Sequence, residues 1–151
     1  MRNVTKQRMF ALFIMLVFGG STLAFAVEFA LQPEQKPQMP DVVERPLTDS
    51  EEAPYLQQNY LVVRYFYSSN CRYCAFVEDS IKGLRDEAGS VLLERVSVDV
   101  YPNETESVGV TEVPSIYLKG SSTRLLTGAV TYDELFAAAC QLYFNPPLAC
   151  G

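Results

Sequence analysis

Apolar residues along this chain form short continuous runs, typical of buried strands, and longer stretches with helical spacing. Residues 61–67 are almost all apolar, β-branched or aromatic, so they predict a buried strand. Residues 91–100 predict a second strand in the same way. Residues 115–119 and 124–127 flank a Gly-Ser-Ser turn, which predicts a β-hairpin.

The helical spacing lies between these runs. Residues 74–88 place apolar side chains on one face and charged ones on the other, and Gly89 ends this predicted helix. Thr131 begins a second helix over residues 132–143, because its hydroxyl and a glutamate three positions later form a capping box. A capping box also begins a short helix over residues 48–58. The order of elements predicts an α/β domain.

The first 26 residues differ from the rest of the chain. They begin with three basic residues, continue with an uncharged apolar core, and end in the small residues of an Ala-Phe-Ala site, which predicts a secretory signal peptide. The alternative is an uncleaved membrane anchor, because residues 9–27 contain no charge and their length is close to the roughly 20 residues that span a bilayer. Both predictions place the remainder outside the cytoplasm, in the periplasm or another extracytoplasmic space, either soluble after cleavage or tethered to the inner membrane.

Residues 27–49 contain four prolines among Gln and Glu, which predicts an extended acidic linker. A disordered tail left after cleavage is the alternative. Residues 50–151 are then expected to form one domain.

The leader holds three of the 12 basic residues and none of the 18 acidic ones, so the chain without it has a net charge of −9. This acidity argues against a nucleic-acid partner.

The most informative motif is Cys71-Arg72-Tyr73-Cys74, which lies between a predicted strand and a predicted helix. Backbone N–H groups at the start of a helix stabilise an anion, so Cys71 is expected to be the more acidic thiol. Arg72 adds a positive charge beside it. Because a thiolate attacks a disulfide, the motif predicts thiol-disulfide exchange, with Cys71 as the reactive thiol and Cys74 as the resolving thiol. This chemistry requires no cofactor.

Other interpretations of the motif stay open. The pair could form a permanent disulfide in a non-catalytic binding or scaffold module. A zinc site is disfavoured, because the chain contains no histidine and its other two cysteines do not repeat the two-residue spacing. Two thiolates alone would suit only a soft ion such as Cu(I). The sequence therefore predicts no metal site.

Cys140 and Cys150 are expected to form a structural disulfide, since the prolines between them allow the tail to turn back. Closing a loop of about ten residues is worth roughly 2–3 kcal/mol in the chain-entropy model. The alternative is a second redox pair that exchanges electrons with Cys71 and Cys74. No cationic or helix-start environment is predicted around them to support it.

Taken in order, the motifs resemble the thioredoxin superfamily over roughly residues 55–145. The resemblance is carried by the Cys-x-x-Cys motif after a strand, by the strand at residues 95–99, by Val113-Pro114 before the next strand, and by Gly128-Ala129 before the final helix. It implies a thioredoxin-like three-layer α/β/α sandwich with a mixed central sheet. It also implies that Pro114 is a cis-proline beside the disulfide, and that Val113 and Tyr73 contribute to substrate binding.

Three features depart from the pattern of that family: no tryptophan precedes Cys71, Tyr65 stands where a buried aspartate is expected, and Asp79 replaces the proline of the active-site helix. Arg95 occupies the position of the basic residue that partners the aspartate in the family, and without that aspartate it is expected to be a solvated charge. The resemblance implies an exported thiol-disulfide oxidoreductase acting on protein clients that bear thiols or disulfides, with a possible membrane redox partner. The sequence does not determine whether it reduces, oxidises or isomerises them.

Overall fold

The computed structural model describes residues 40–151. The predicted signal peptide or anchor and most of the predicted linker lie outside these residues. The elements in chain order are β1 (Val42–Val43), α1 (Asp49–Gln57), β2 (Leu61–Tyr67), α2 (Cys74–Ala88), β3 (Val91–Ser97), α3 (Pro102–Val108), β4 (Ser115–Lys119), β5 (Thr123–Thr127) and α4 (Tyr132–Cys140), followed by a 3₁₀ turn at Leu148–Cys150.

The five strands form one mixed sheet in the order β1-β3-β2-β4-β5. Strands β1, β3 and β2 run parallel, while β4 runs antiparallel to β2 and β5 antiparallel to β4. Ser115, the first residue of β4, pairs with Phe66 near the end of β2. The loops before β4 and after β2 therefore meet at the same end of the sheet.

Alternation along β2 produces the two outer layers. Its odd-numbered residues Leu61, Val63 and Tyr65 are fully buried in the apolar core beneath α2 and α4. Its even-numbered residue Arg64 faces the opposite layer, where it contacts side chains of α1 and α3. The three-layer α/β/α architecture expected from the sequence is confirmed.

The second layer contains a cluster of buried charges. The Arg64 guanidinium contacts the carboxylates of Glu52 at 2.7 Å, Glu94 at 2.6 Å and Glu104 at 3.0 Å. Lys119 Nζ lies 2.6 Å from the second oxygen of Glu52. Each carboxylate is contributed by a different element, so the cluster joins α1 and α3 to the centre of the sheet.

Four details differ from the sequence-based expectations. Val42 and Val43 lie in the predicted linker but pair with β3, so packed structure begins before residue 50. Strand β3 ends at Ser97 instead of residue 100. Helix α3 lies in a stretch for which the sequence predicted no helix or strand. Helix α4 ends at Cys140 instead of residue 143, although Leu142 and Tyr143 beyond it are buried. Within residues 40–151 no helix has the length and apolarity needed to cross a bilayer.

Candidate functional site

Cys71 and Cys74 lie in the turn that connects β2 to α2. Their sulfurs are bonded at 2.02 Å, and their Cα atoms are 5.4 Å apart. Cys74 is the first residue of α2 and Tyr73 is its N-cap, as the amphipathic pattern predicted. The disulfide therefore lies at the helix N-terminus.

The two cysteines differ in exposure. Cys74 is only 9% exposed and belongs to the apolar core, whereas Cys71 is partly exposed at the edge of that core. A protein thiol from solvent therefore reaches Cys71 first. This asymmetry agrees with the predicted roles of Cys71 as the reactive cysteine and Cys74 as the resolving one.

The electrostatic surroundings of Cys71 favour an anion. The first turn of α2 contains no acidic residue, so its free backbone N–H groups face no competing carboxylate on the helix. Arg72 is exposed and forms no ion pair with any residue between 40 and 151; its guanidinium carbon lies 5.5 Å from the ring centroid of Tyr73. No carboxylate among these residues therefore neutralises the positive charge that follows Cys71 in the sequence.

A second loop meets the disulfide end of the sheet. The Val113–Pro114 peptide bond is cis, the geometry that the resemblance implies. Pro114 precedes the residue that pairs with Phe66, so the register brings it to the end of β2 from which the disulfide turn departs. The backbone N–H and C=O of Val113 form no backbone hydrogen bond within the described part of the chain. They are free to pair with an extended segment of another protein.

The turn before Cys71 is fixed by a contact that the sequence did not reveal. Asp99, just after β3, accepts hydrogen bonds from the Ser69 backbone N–H at 3.1 Å and from the Ser69 hydroxyl at 3.3 Å. Carboxylates that accept backbone N–H bonds are common in turns. Asp99 therefore helps to position the turn that carries the reactive cysteine.

The aromatic residues near the motif divide between core and surface. Tyr65 and Phe66 are fully buried, whereas Tyr73 and Phe76 are each 49% exposed. The two exposed rings flank Cys74 in the sequence, on the solvent side of the disulfide turn. They are the exposed aromatic side chains nearest to the motif in the sequence.

Beneath the disulfide, the Tyr65 hydroxyl donates a hydrogen bond to the Cys74 carbonyl oxygen at 3.1 Å. Burial, and to a lesser degree the negative charge of Glu78, raises the pKa of Tyr65 well above its ordinary value. Tyr65 is therefore a neutral donor at physiological pH.

Arg95 is more constrained than the solvated charge expected from the sequence, and that expectation is wrong. Its guanidinium lies 2.7 Å from Glu78 and 3.1 Å from Glu44, and stacks over the ring of Tyr67 at 5.2 Å. Tyr67 in turn stacks on Tyr65, with ring centroids 5.7 Å apart. Two stacked aromatic rings, Tyr67 and Tyr65, thus link the Arg95 ion pair to the backbone of the resolving cysteine.

Fold, disulfide position and cis-proline agree with the result of a family comparison. The thioredoxin family model matches residues 45–141. This chain belongs to the thioredoxin family. Comparison with curated protein sequences finds no match.

Solved thioredoxin structures show the same fold. A mutant thioredoxin of Halobacterium salinarum aligns with 20% identity and a TM-score of 0.58, covering 72% of this chain and 96% of its own. Thioredoxin of Fasciola hepatica aligns with 18% identity and a TM-score of 0.54, covering 66% and 99%. Chloroplastic thioredoxin z aligns with 16% identity and a TM-score of 0.55, covering 70% and 97%.

The second cysteine pair of this thioredoxin-family protein lies far from the first. Cys140 and Cys150 are bonded, with Cα atoms 5.6 Å apart. The tail between them is held by Asn145, whose backbone N–H and C=O both hydrogen-bond to the side chain of Asn59, just before β2. Because β2 separates Asn59 from the Cys71 turn by about 20 Å, the two disulfides occupy opposite ends of the sheet. Direct electron exchange between them is not possible in this conformation.

Metal-ligating residues do not converge in the described part of this thioredoxin-family protein. Within residues 40–151, no group of three or more histidine, cysteine, aspartate or glutamate side chains has the geometry to hold a metal ion.

Proposed function

We propose that this protein is an exported thiol-disulfide oxidoreductase that exchanges disulfides with protein clients through its Cys71-Arg72-Tyr73-Cys74 motif. The thioredoxin fold with its cysteine pair supports thiol-disulfide chemistry in general. The observation that carries the more specific proposal is the asymmetry of the disulfide, in which Cys71 is partly exposed and Cys74 is buried.

In the oxidising direction, a client thiolate attacks the Cys71 sulfur. The bond between Cys71 and Cys74 breaks, and Cys74 leaves with the electron pair. A second client thiol, once deprotonated, attacks the client sulfur of the mixed disulfide and releases Cys71. The client loses two electrons and the cysteine pair gains them. In the reducing direction, the Cys71 thiolate attacks a client disulfide and Cys74 resolves the mixed disulfide.

Client binding is proposed to use surfaces next to Cys71. An extended client segment pairs with the free backbone groups of Val113 beside Pro114, which requires no particular client sequence. The exposed rings of Tyr73 and Phe76 contact its apolar side chains, and the Arg72 charge stabilises the thiolate form of Cys71. These roles suit a broad range of unfolded clients.

The test is the reduction potential of the pair in glutathione buffers, with alkylation and mass spectrometry to identify which cysteines react. A potential between about −120 and −230 mV, with only Cys71 and Cys74 alkylated, supports an exported oxidase or isomerase. A value near −270 mV indicates a reductase, which needs an electron-donating membrane partner. A pair that resists reduction below about −300 mV is structural, and the scaffold interpretation then replaces this proposal.

Export is proposed from the composition of residues 1–26 and is tested separately. The mass of the protein recovered from a secreting host identifies its N-terminus. A chain that begins near residue 27 is a soluble extracytoplasmic protein, and an intact chain in the membrane fraction is a tethered one. An intact chain in the cytosol contradicts export.

A further inference from the structure

Resolution of a mixed disulfide requires a proton acceptor near Cys74. Once Cys71 is bonded to a client, Cys74 is a free thiol, and only its thiolate can attack the Cys71 sulfur. Cys74 is 9% exposed, so solvent has little direct access to its proton. The chain contains no histidine, the side chain that most often accepts protons near neutral pH. A carboxylate is the remaining acceptor that is predominantly ionised at that pH.

Glu78 is the carboxylate best placed for this role. It lies four residues after Cys74 in α2, and side chains with this spacing share one face of a helix. Its carboxylate is turned toward the sheet by Arg95, whose Nη2 atom lies 2.7 Å from Glu78 Oε1. The Glu78 side chain keeps 43% of its surface exposed, so it can return a proton to solvent.

A cavity lies between Glu78 and Tyr65. The cavity has a volume of about 160 Å³, and Tyr65, Glu78 and Arg95 are among the residues that line it. Tyr65 also donates its hydroxyl to the Cys74 carbonyl, so the Tyr65 side chain contacts both the cavity and the backbone of the resolving cysteine. One water needs roughly 10–15 Å³ of such volume, so the cavity has room for a short relay.

We propose that Glu78 accepts the Cys74 proton through this cavity when the mixed disulfide is resolved. This proposal rests on the proposed function. The Cys74 proton passes to the Glu78 carboxylate, the Cys74 sulfur bonds to the Cys71 sulfur, and the bond from Cys71 to the client breaks. The client sulfur leaves with the electron pair, so the client is reduced and the cysteine pair oxidised. In the oxidising direction, the same carboxyl returns the proton to the departing Cys74 thiolate.

The charged and titratable groups around Glu78 come from three directions. Arg95 approaches from β3, Tyr65 from β2, and Lys82 and Arg85 line the same cavity from α2 itself. Glu44, which follows β1, contacts the same Arg95 guanidinium as Glu78, at a distance of 3.1 Å. Among the described residues, Glu78 is the only carboxylate that lines the cavity. Its substitution therefore removes the acceptor without removing the cations.

The test separates the two chemical steps. The full chain, reduced only at Cys71 and Cys74, is mixed with 5,5′-dithiobis(2-nitrobenzoate) at a series of pH values. The first thionitrobenzoate released reports attack by Cys71, and the second reports resolution by Cys74. Glu78→Gln is the informative variant. Asp79→Asn is its matched control, because it removes the same charge from the next residue of α2, which is exposed.

Glu78→Gln is expected to slow the second release at pH 7 by at least about tenfold, as loss of a proton acceptor does. The first release stays unchanged, and the difference in the second narrows as the pH rises above about 8.5, the pKa of a free thiol, because Cys74 then ionises without the carboxylate. Asp79→Asn is expected to change neither step. The result is specific, because loss of a nearby negative charge alone would stabilise the Cys74 thiolate and speed resolution.

Other outcomes overturn the proposal. An unchanged or faster second release in Glu78→Gln shows that the carboxylate accepts no proton, and an equal slowing at every pH shows a structural role. Neither outcome affects the proposed function if the unsubstituted protein resolves the mixed disulfide. Absence of the first or second release in the unsubstituted protein removes the proposed function itself.

Discussion

Arg64 and Glu94 form a buried ion pair across the parallel β2–β3 ladder, with Arg64 Nε 2.6 Å from Glu94 Oε2. Glu94 is fully buried, and its other oxygen has no hydrogen-bond partner within residues 40–151. The same guanidinium also contacts two further carboxylates, which limits the compensation that Glu94 receives. The centre of the sheet therefore carries more negative than positive charge.

This imbalance makes stability depend on pH. Burial raises the pKa of Glu94 to about 7, because the attraction of Arg64 only partly offsets the loss of water and the repulsion of Glu52. An unfolded glutamate titrates near 4.3, so between these values the folded state binds the extra proton. This contribution to the free energy of unfolding is present in acid and is lost as the pH rises through 7.

Glu94→Gln removes that titration. The unsubstituted protein loses stability as the pH rises from 5 to 8, and the variant does not. The free energy of unfolding of the variant minus that of the unsubstituted protein is therefore expected to increase by on the order of 2 kcal/mol over this range. Urea denaturation at four pH values across this range measures the difference. A constant difference would contradict the elevated pKa.

Glu51→Gln is the control for the sign of this effect. Hydrogen bonds from Arg45 and Thr48 lower the pKa of Glu51 to about 2. Its contribution to stability is therefore present above the unfolded pKa near 4.3 and is lost as the pH falls through 2. The difference between this variant and the unsubstituted protein is expected to stay constant from pH 5 to 8 and to shrink only in strong acid.

The second disulfide is expected to stabilise the fold without taking part in exchange. Replacing both Cys140 and Cys150 by Ser should lower the free energy of unfolding by about 2–3 kcal/mol, since the loop they close spans ten residues. The rate at which Cys71 exchanges with a small disulfide should not change, because the two pairs lie at opposite ends of the sheet. A slower exchange rate would revive the interpretation of Cys140 and Cys150 as a second redox pair.

Tyr65→Phe tests the contact beneath the resolving cysteine. The substitution leaves the Cys74 carbonyl without its side-chain donor, which should cost about 1–2 kcal/mol in chemical denaturation of the disulfide form. Tyr60→Phe is the matched control, because the Tyr60 hydroxyl forms no hydrogen bond with any described residue. Equal effects of the two substitutions would show that the contact contributes nothing.

Arg72→Gln tests the charge beside the reactive thiol. Removing a cation from the residue next to a thiolate in water should lower the fraction of ionised Cys71 at pH 7 roughly twofold to threefold. Absorbance at 240 nm in the reduced protein measures the thiolate, and the rate of alkylation should fall in parallel. Arg124→Gln, on the edge strand β5, removes an equal charge far from the motif and should leave both quantities unchanged.

The sequence predicted well those elements whose apolar pattern is continuous or regular. Strand β2 and helix α2 have the predicted bounds, because apolar side chains and a terminating glycine specify them locally. Helix α3 escaped prediction because none of its residues is buried, so no apolar periodicity marks it. Helix α4 was predicted too long because Leu142 and Tyr143 continue the apolar spacing after the helix has ended.

The candidate site was predicted in part for the same reason. Cys71 and Cys74 are close in sequence, so their pairing needed no tertiary information. The Asp99 contact with Ser69, the Glu78–Arg95 ion pair and the cavity depend on how α2 and β3 pack. Local patterns along the chain do not specify that packing.

The hydrogen bonds between Asn59 and Asn145 also determine how the molecule can be handled. They hold the C-terminal segment at the end of the sheet that faces away from Cys71. A fluorescent reporter, an affinity tag or a solid support joined after Gly151 would leave the reactive sulfur pointing outward. The protein can thus be immobilised on an electrode or sensor chip through its C-terminus with its disulfide exposed to clients in solution.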